Sequence, residues 1–226
     1  LLPSGGTVFI GGETPYAPAP GVFGFNVIQA AAPTGVSGTL RIGTGHYFVP
    51  YGSLVYLTGT GGVFVEQGTF IESTSTVRYG GTGGSNVLST TYYNLDVNGN
   101  GGTPTYTGAG LGIVVSNNLT VGGTVNTTFT LDTNDPALDV NGDVLVQSGS
   151  TLVGSGSAVA TFGGSFDNNG TFTSSNGTVT FDGSGTHTIA QGASSFANLT
   201  ASGTGAYTFT ESGTTTGTFR LQTLGD

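Results

Sequence analysis

The sequence lacks cysteine, methionine, tryptophan and lysine, and charged residues occupy only 7% of its 226 positions. Without cysteine, the chain can form neither a disulfide-stabilised scaffold nor a thiolate-ligated metal site. Its three basic residues are all arginines, and the formal net charge is −9. Because binding to nucleic acid depends on several basic side chains that neutralise phosphates, this composition argues against nucleic acid as a partner.

Strong helix formers are also scarce, whereas glycine occupies 43 positions. Glycine destabilises helix interiors, so the composition argues against a helical protein. No apolar run reaches the roughly 18 residues that a transmembrane helix needs, and we expect no transmembrane segment. Hydrophobic residues nevertheless make up 35% of the chain, with 14 Phe and 9 Tyr. This is enough apolar material for a folded core rather than a disordered chain.

The missing residue types indicate a location outside the cell. Cysteine and methionine carry the sulfur atoms that oxidise most readily, and both are absent. Trypsin-like proteases cleave after lysine or arginine, and the chain offers three such residues. We therefore expect an extracellular or cell-surface protein.

The N-terminal part of the chain, up to residue 60, differs from the rest. Thr7, Val8, Phe9 and Ile10 form a short apolar strand pattern, and the prolines between residues 15 and 20 favour an extended chain. From about residue 61, short alternations of apolar residues with Thr or Ser are separated by turn-forming residues. The sequence therefore predicts an irregular N-terminal segment at 1–60, containing a strand that subunits could exchange, and a second region at 61–226.

The second region repeats with a period of about 20 residues, a length typical of solenoid coils. Apolar residues in similar contexts recur about once per period in two interleaved sets: Val121, Val140, Phe162 and Phe181, and Leu131, Leu152 and Phe172. A longer repeat relates residues 68–96 to residues 170–200. Such periods predict an all-β chain folded as a parallel β-solenoid, or β-helix, whose coils stack about 4.8 Å apart.

The segment from Thr178 to Ile189, followed by Phe196-Ala197-Asn198-Leu199-Thr200, resembles the repeat of large secreted bacterial surface proteins of the filament or adhesin type. Their repeat has a Thr-Val-x-Phe-x-Gly segment, a Gly-rich turn, a Thr-Ile strand and an aromatic residue followed by x-Asn-Leu. The resemblance extends over about residues 62–226. It implies a parallel β-solenoid displayed outside the cell.

The two ends of a solenoid expose unpaired backbone groups, which natural solenoids cap. We find no charged capping helix in the sequence. The apolar strand pattern at 7–10 and the strand-like C-terminal pattern with Phe219, Leu221 and Leu224 are therefore the expected contacts between subunits, through coil stacking or strand addition. The alternative is that the chain is a fragment of a longer protein whose neighbouring coils are missing.

An acidic cluster is the one candidate for a metal site, and calcium is its expected ion because calcium prefers oxygen ligands. Its members are Asp132, Asp135, Asp139, Asn141 and Asp143. The spacing from Asp139 onward begins like a calcium loop, but Val144 stands where that loop needs glycine. The alternative is a set of solvated turns, and no other cofactor is expected.

Enzymatic chemistry has little support in the sequence. The chain has two histidines, His46 and His187, and no nucleophile elbow between a strand and a helix. A polysaccharide-active β-helix would need to pair acids such as Asp96, Asp167 and Asp182. Nothing in the sequence fixes their separation, and we expect a protein that is not an enzyme.

Two further surface features are weak signals. Thr-x-Thr pairs could order water for ice binding, but their uneven spacing argues against one shared face; they stand at 128/130, 171/173, 178/180, 186/188 and 208/210. Sequons for N-glycosylation begin at Asn118, Asn126, Asn169, Asn176 and Asn198, and such matches are expected by chance in a chain rich in Asn and Thr.

Together, these patterns favour a structural subunit that self-assembles as a homo-polymer into an extracellular filament, sheath or surface layer. The first alternative is an adhesin or stalk module of a larger cell-surface protein, for which surface glycans would be partners. The second alternative is a polysaccharide-active β-helix enzyme.

Overall fold

The computed structural model describes residues 38–50 and 52–222, together with the backbone of two strands at 8–10 and 22–24. These residues contain strands and turns but no helix, and all strand pairs are parallel. They form a β-solenoid of about eight coils, which confirms the predicted fold class. Within the described ranges, no helix is long and apolar enough to cross a membrane.

The strands line three faces of the solenoid. Consecutive strands along the chain lie on the first, second and third face in turn, so a typical coil contributes one strand to each face. The third face is a single eight-stranded sheet that runs through the whole described solenoid. Its strands are β5 (Leu54–Leu57), β8 (Thr76–Tyr79), β11 (Asn94–Val97), β14 (Leu119–Val121), β17 (Val144–Val146), β20 (Phe166–Asn168), β23 (Thr186–Ala190) and β25 (Ala206–Phe209).

The first face comprises a three-stranded and a five-stranded sheet, which an isolated bridge between Gly61 and Ser85 connects. The short sheet contains β1 (Val8–Ile10), β3 (Leu40–Ile42) and β6 (Phe64–Glu66). The long sheet contains β9 (Asn86–Val87), β12 (Thr105–Gly108), β15 (Thr128–Thr130), β18 (Thr151–Val153) and β21 (Thr171–Thr173).

The second face likewise comprises a three-stranded and a seven-stranded sheet. The short sheet contains β2 (Val22–Gly24), β4 (Tyr47–Val49) and β7 (Thr69–Phe70). The long sheet contains β10 (Thr91–Tyr92), β13 (Gly112–Val115), β16 (Ala137–Val140), β19 (Val159–Phe162), β22 (Thr178–Phe181), β24 (Asn198–Ala201) and β26 (Phe219–Leu221).

The core is built from columns of inward-facing apolar residues. Side chains alternate sides along a strand, so in β8 Val77 and Tyr79 are buried while Thr76 and Arg78 face outward. The parallel register places like residues above one another. In the C-terminal half of the solenoid, the core contains a cluster of buried aromatic rings: Phe162, Phe166, Phe172, Phe181 and Phe196.

The coils vary in length, and this variation corrects both predicted columns. Val140, Phe162 and Phe181 do stack on one another, but their column continues to Val115, because Val121 lies on the third face. Leu152 and Phe172 likewise stack, but their partner below is Phe129 rather than Leu131. The corners hold turns of different length, so the sequence offset between register partners changes from one coil to the next.

The longer repeat is also displaced between faces. The Val77–Tyr79 segment lies on the third face, whereas its counterpart Val179–Phe181 lies on the second. All three faces demand the same alternation of inward apolar and outward polar residues, so similar segments can occupy any of them.

The strand ladders continue below residue 61. The strands β3, β4 and β5 pair in register with β6, β7 and β8, so residues 40–50 and 52–57 belong to the same solenoid as the predicted second region. Strand β1 pairs with β3 of its own chain, and exchange of this strand between subunits stays a prediction. The remainder of 1–37, apart from β2, lies outside the described residues.

Candidate functional site

The last described coil exposes side chains that occupy core positions. In the β24–β26 pair, Phe219 stacks on the buried Leu199, and Leu221 stacks on Ala201. Yet Phe219 is 55% exposed and Leu221 is 73% exposed, because no described coil covers them. An apolar pair that faces water in this way is the kind of surface that marks an interaction site.

The backbone at this end is equally uncovered. Strands β25 and β26 are the terminal members of their sheets, so each has one edge that no strand in the described part of the chain pairs with. Such an edge presents a row of N–H and C=O groups that can pair with another chain. We call this end, formed by Tyr207, Phe209, Phe219 and Leu221, the terminal-coil surface.

The rest of the terminal coil is firmly attached. Tyr207 packs its ring 5.1 Å from that of Phe181, and its hydroxyl accepts a hydrogen bond of 2.7 Å from the backbone N–H of Gly183. Burial is the main cause that raises the pKa of Tyr207, so the phenol stays neutral near pH 7. The surface is therefore a pre-formed coil rather than a loose tail.

The predicted assembly residues divide between the two ends. Phe219 and Leu221 lie together on the terminal-coil surface. Val8, Phe9 and Ile10 form the terminal strand of the first face at the opposite end. Thr7 and Leu224 lie outside the described residues.

The five calcium candidates do not form one cluster. Asp132 and Asp135 lie at the corner between β15 and β16, Asp139 lies on the outward side of β16, and Asn141 and Asp143 lie at the next corner. Among the residues that the structure describes, no three His, Asp or Glu side chains are grouped so that they could hold a metal ion.

Two of these acids instead accept hydrogen bonds from the following coil. Asp135 Oδ1 accepts from the Ser155 hydroxyl at 2.8 Å and from the Gly156 N–H at 2.7 Å, and these donors lower the pKa of Asp135. Asp143 Oδ1 accepts from the Ser165 N–H at 2.7 Å. Both carboxylates therefore connect successive coils.

Asp143 belongs to a ladder of polar side chains along one corner of the solenoid. The side-chain oxygen of each member accepts a hydrogen bond from a backbone N–H of the next coil, at distances from 2.7 to 3.3 Å; the accepting residues are Asn94, Asn118, Asp143 and Ser165. Each stands directly before an inward apolar residue of the third face. This recurring polar residue was the available sequence signal for the ladder, and it was not recognised from the sequence.

A charged pair lies on the outer side of the third face. The Arg78 Nε donates to Asp96 Oδ2 at 2.6 Å, and the Arg78 Cζ lies 5.9 Å from the ring centroid of Tyr56. Asp96 is only 8% exposed, and its Oδ1 is buried without a hydrogen-bond partner in the described structure. Burial raises the pKa of Asp96, while the Arg78 charge opposes this rise.

This pair predicts a pH dependence that an asparagine substitution can expose. The folded state holds the pKa of Asp96 above its ordinary value, so the group's contribution to stability is complete at low pH and is lost as pH rises through the folded pKa. Asp96→Asn should therefore become more stable relative to the natural protein as the pH is raised from 3 to 7. Urea unfolding at several pH values measures this difference.

The control for this experiment is Asp135→Asn, for which the expected change of stability with pH has the opposite sign. The pKa of Asp135 is lowered, so its contribution is present above the ordinary pKa and is lost as pH falls through the folded value. The Asp135→Asn variant should become less stable relative to the natural protein as pH rises. Equal pH trends in the two variants would contradict the account of Asp96.

Asp96 and Asp167, two of the three acids of the polysaccharide hypothesis, are far apart. Asp96 and Asp167 share one outward column of the third face, but Thr120 and Leu145 stand between them. Three coil steps correspond to about 14 Å. The paired carboxylates of glycosidases lie at most about 9.5 Å apart.

Neither histidine belongs to this acid column, which continues from Asp167 to Ala190. The His187 ring lies 5.1 Å from that of Tyr207, and its Nε2 accepts a hydrogen bond of 3.2 Å from the Gly185 N–H. His46 is buried at the turn before β4, where its carbonyl accepts from the Thr69 N–H at 2.9 Å. The His46 side chain is thus buried in the solenoid, and the His187 ring packs against Tyr207.

The terminal-coil surface is thus the candidate site that exposes the most apolar core surface. It presents apolar side chains and unpaired strand edges, the groups through which protein chains can associate. No family model matches the chain, and no curated protein or solved structure matches it either.

Proposed function

We propose that the protein is a structural subunit of an extracellular filament, sheath or surface layer, and that copies stack end to end through the terminal-coil surface. The observation that carries this proposal is the exposure of Phe219 directly above the buried Leu199, and of Leu221 two coils above the buried Phe181. A coil from a second copy would complete these columns and pair with the free strand edges.

The energetics favour such a contact. Full burial of a Phe or Leu side chain is worth about 1.5–3 kcal/mol, and both side chains are more than half exposed before association. Pairing of the strand edges would add backbone hydrogen bonds with fixed register, as in other cases of strand addition. The net charge of −9 opposes association, so moderate salt should promote it.

The extracellular location is part of the proposal and is supported by composition. The chain offers no sulfur side chain to oxidants and three arginines to trypsin-like proteases. Stacked coils with low charge also avoid the repulsion that like charges about 4.8 Å apart would cause. Cohesion would come from backbone ladders and apolar columns.

Assembly should depend on the two exposed core residues. The double variant Phe219→Asp, Leu221→Asp places two carboxylates where a second copy would have to bury them, so it should remain as isolated rods while the natural protein forms fibres. Leu111→Asp is the matched control, because Leu111 is 94% exposed at a corner away from the terminal coil. Negative-stain microscopy and light scattering give the readout.

Deletion of residues 1–12 tests which strand of a second copy covers the terminal coil. If β1 supplies the strand that covers the terminal coil, this deletion should abolish fibres as completely as the double variant does. Fibres that survive the deletion would indicate stacking through other strands of the N-terminal end. Isolated rods of the natural protein at high concentration would contradict the polymer.

The adhesin or stalk module is the second candidate, and the same surface favours it. In a longer chain, the coil that covers Phe219 and Leu221 would come from the continuing polypeptide rather than from another copy. Isolated rods of uniform length in the microscopy experiment would support this candidate. The polysaccharide-active enzyme has no comparable support, given the separation of Asp96 and Asp167 along their column.

A further inference from the structure

The outer side of the first face carries a regular grid of β-branched side chains. Four successive strands, β12, β15, β18 and β21, each contribute two outward residues in perfect register. One column contains Thr105, Thr128, Thr151 and Thr171, and the other contains Thr107, Thr130, Val153 and Thr173. We call these eight residues the threonine grid.

The geometry of the grid is set by the backbone. Neighbouring coils are about 4.8 Å apart, and two residues along a strand span about 6.7 Å, so the side chains repeat on a rectangular lattice. Threonine and valine are stiff at χ1, which limits the positions of their methyl and hydroxyl groups. Beneath the grid lie fully or almost fully buried side chains, namely Tyr106, Phe129, Leu152 and Phe172.

The hydroxyl groups of the grid are not used by the fold. None of the seven threonine side chains makes a hydrogen bond to another residue within the described parts of the chain. Polar side chains at the corners behave differently, since Asn118, Asp143 and Ser165 all accept hydrogen bonds from the next coil. The grid therefore offers its whole hydrogen-bonding capacity outward.

The grid also contains no charged residue, although the protein carries twelve acids. Charged groups orient water around themselves, whereas hydroxyl and methyl groups on a fixed lattice impose a repeating arrangement on the first water layer. Ice presents an uncharged surface whose water molecules, unlike those of the liquid, repeat regularly. A ligand of that kind is recognised by a regular spacing of surface groups, which the fixed strand and coil repeats of the grid supply.

We propose that the threonine grid binds ice. The uneven Thr-x-Thr spacing that argued against this function arises because the pairs belong to different faces: 128/130 and 171/173 lie on the first face, 178/180 on the second and 186/188 on the third. Corner turns of different length bring pairs with uneven sequence spacing onto one lattice. The grid is complete in a single copy, so this activity does not depend on end-to-end stacking.

The test uses the purified full chain and measures inhibition of ice recrystallisation together with thermal hysteresis. The natural protein should show both. The variant Thr128→Tyr, Thr151→Tyr places two rings in the middle of one column and should lose both activities, since the rings hold the ice surface away from neighbouring hydroxyls. The matched control is Thr161→Tyr, Thr180→Tyr, a pair of adjacent outward positions on the second face, which should retain them.

Three further measurements make each outcome decisive. Thermal unfolding verifies that both double variants fold, and the Phe219→Asp, Leu221→Asp variant should keep its ice activity per molecule even when it cannot form fibres. Absence of ice activity in the natural protein would overturn the proposal. A grid variant that keeps its ice activity and changes only its sedimentation behaviour would also overturn the proposal. The grid would then be a lateral contact between copies.

Discussion

Replacing Phe166 with alanine should lower the free energy of unfolding by about 3–5 kcal/mol, the range for removal of a fully buried aromatic side chain. Phe166 is 0% exposed and lies at the centre of the aromatic cluster. Its ring centroid is 5.3 Å from that of Phe172, 5.6 Å from Phe162 and 5.8 Å from Phe196.

The cavity left by this substitution should persist. Its neighbours belong to strands on different faces, and the backbone ladders hold these strands at fixed spacing, so the walls cannot collapse into the space. Urea unfolding followed by circular dichroism measures the loss. Because each coil contacts only its neighbours, hydrogen exchange should show the greatest loss of protection in the adjoining coils.

Phe219→Ala is the matched control for Phe166→Ala. It removes the same atoms from the terminal coil, where the side chain is 55% exposed, and should change stability by within about 0.5 kcal/mol, as is usual for surface positions. If both substitutions cost the same, the aromatic cluster would not be the main source of stability in this half of the solenoid.

Gly84→Ala should destabilise the protein by about 4 kcal/mol or more, a loss that only specific steric or packing defects produce. Gly84 has a φ of +73°, and a Cβ atom there would lie 1.9 Å from the carbonyl oxygen of Thr105. The clash is with backbone of the next coil, so no side-chain rotation relieves it. The strand pair β9–β12 would have to separate.

Gly61 supplies an internal control for the backbone conformation. Its φ is +72°, nearly that of Gly84, but a Cβ atom at Gly61 would have no atom within 4 Å. Gly61→Ala should therefore cost only the roughly 1–2 kcal/mol of placing a side chain in the left-handed region. Similar unfolding free energies for the two variants would show that close approach between coils is not what requires glycine at Gly84.

The sequence was sufficient for the class of fold. Period-two alternation, the abundance of glycine and a repeat of solenoid length predicted a parallel β-solenoid, and the structure confirms it. Alternation is visible in a sequence because each strand must bury one side, whatever face it occupies. For the candidate site, the strand-like pattern around Phe219 and Leu221 predicted a terminal strand, and both residues lie exposed on the last coil.

The sequence could not supply the lateral arrangement of the coils. Val121 and Leu131 were assigned to the wrong columns, and the structural role of Asp143 was not predicted. Corner turns vary in length, so the register of one coil against the next cannot be worked out from residue numbers. The pairing of Arg78 with Asp96 and the alignment of the threonine grid both depend on that register.

The sequence by itself therefore determined that this chain forms short strands wound into a stack, because alternation and turn chemistry are local properties. Only the tertiary structure decided which residues meet across coils. Those contacts depend on the summed length of three turns and three strands, and an error of one residue at any corner moves a side chain from the outside of the solenoid to its core.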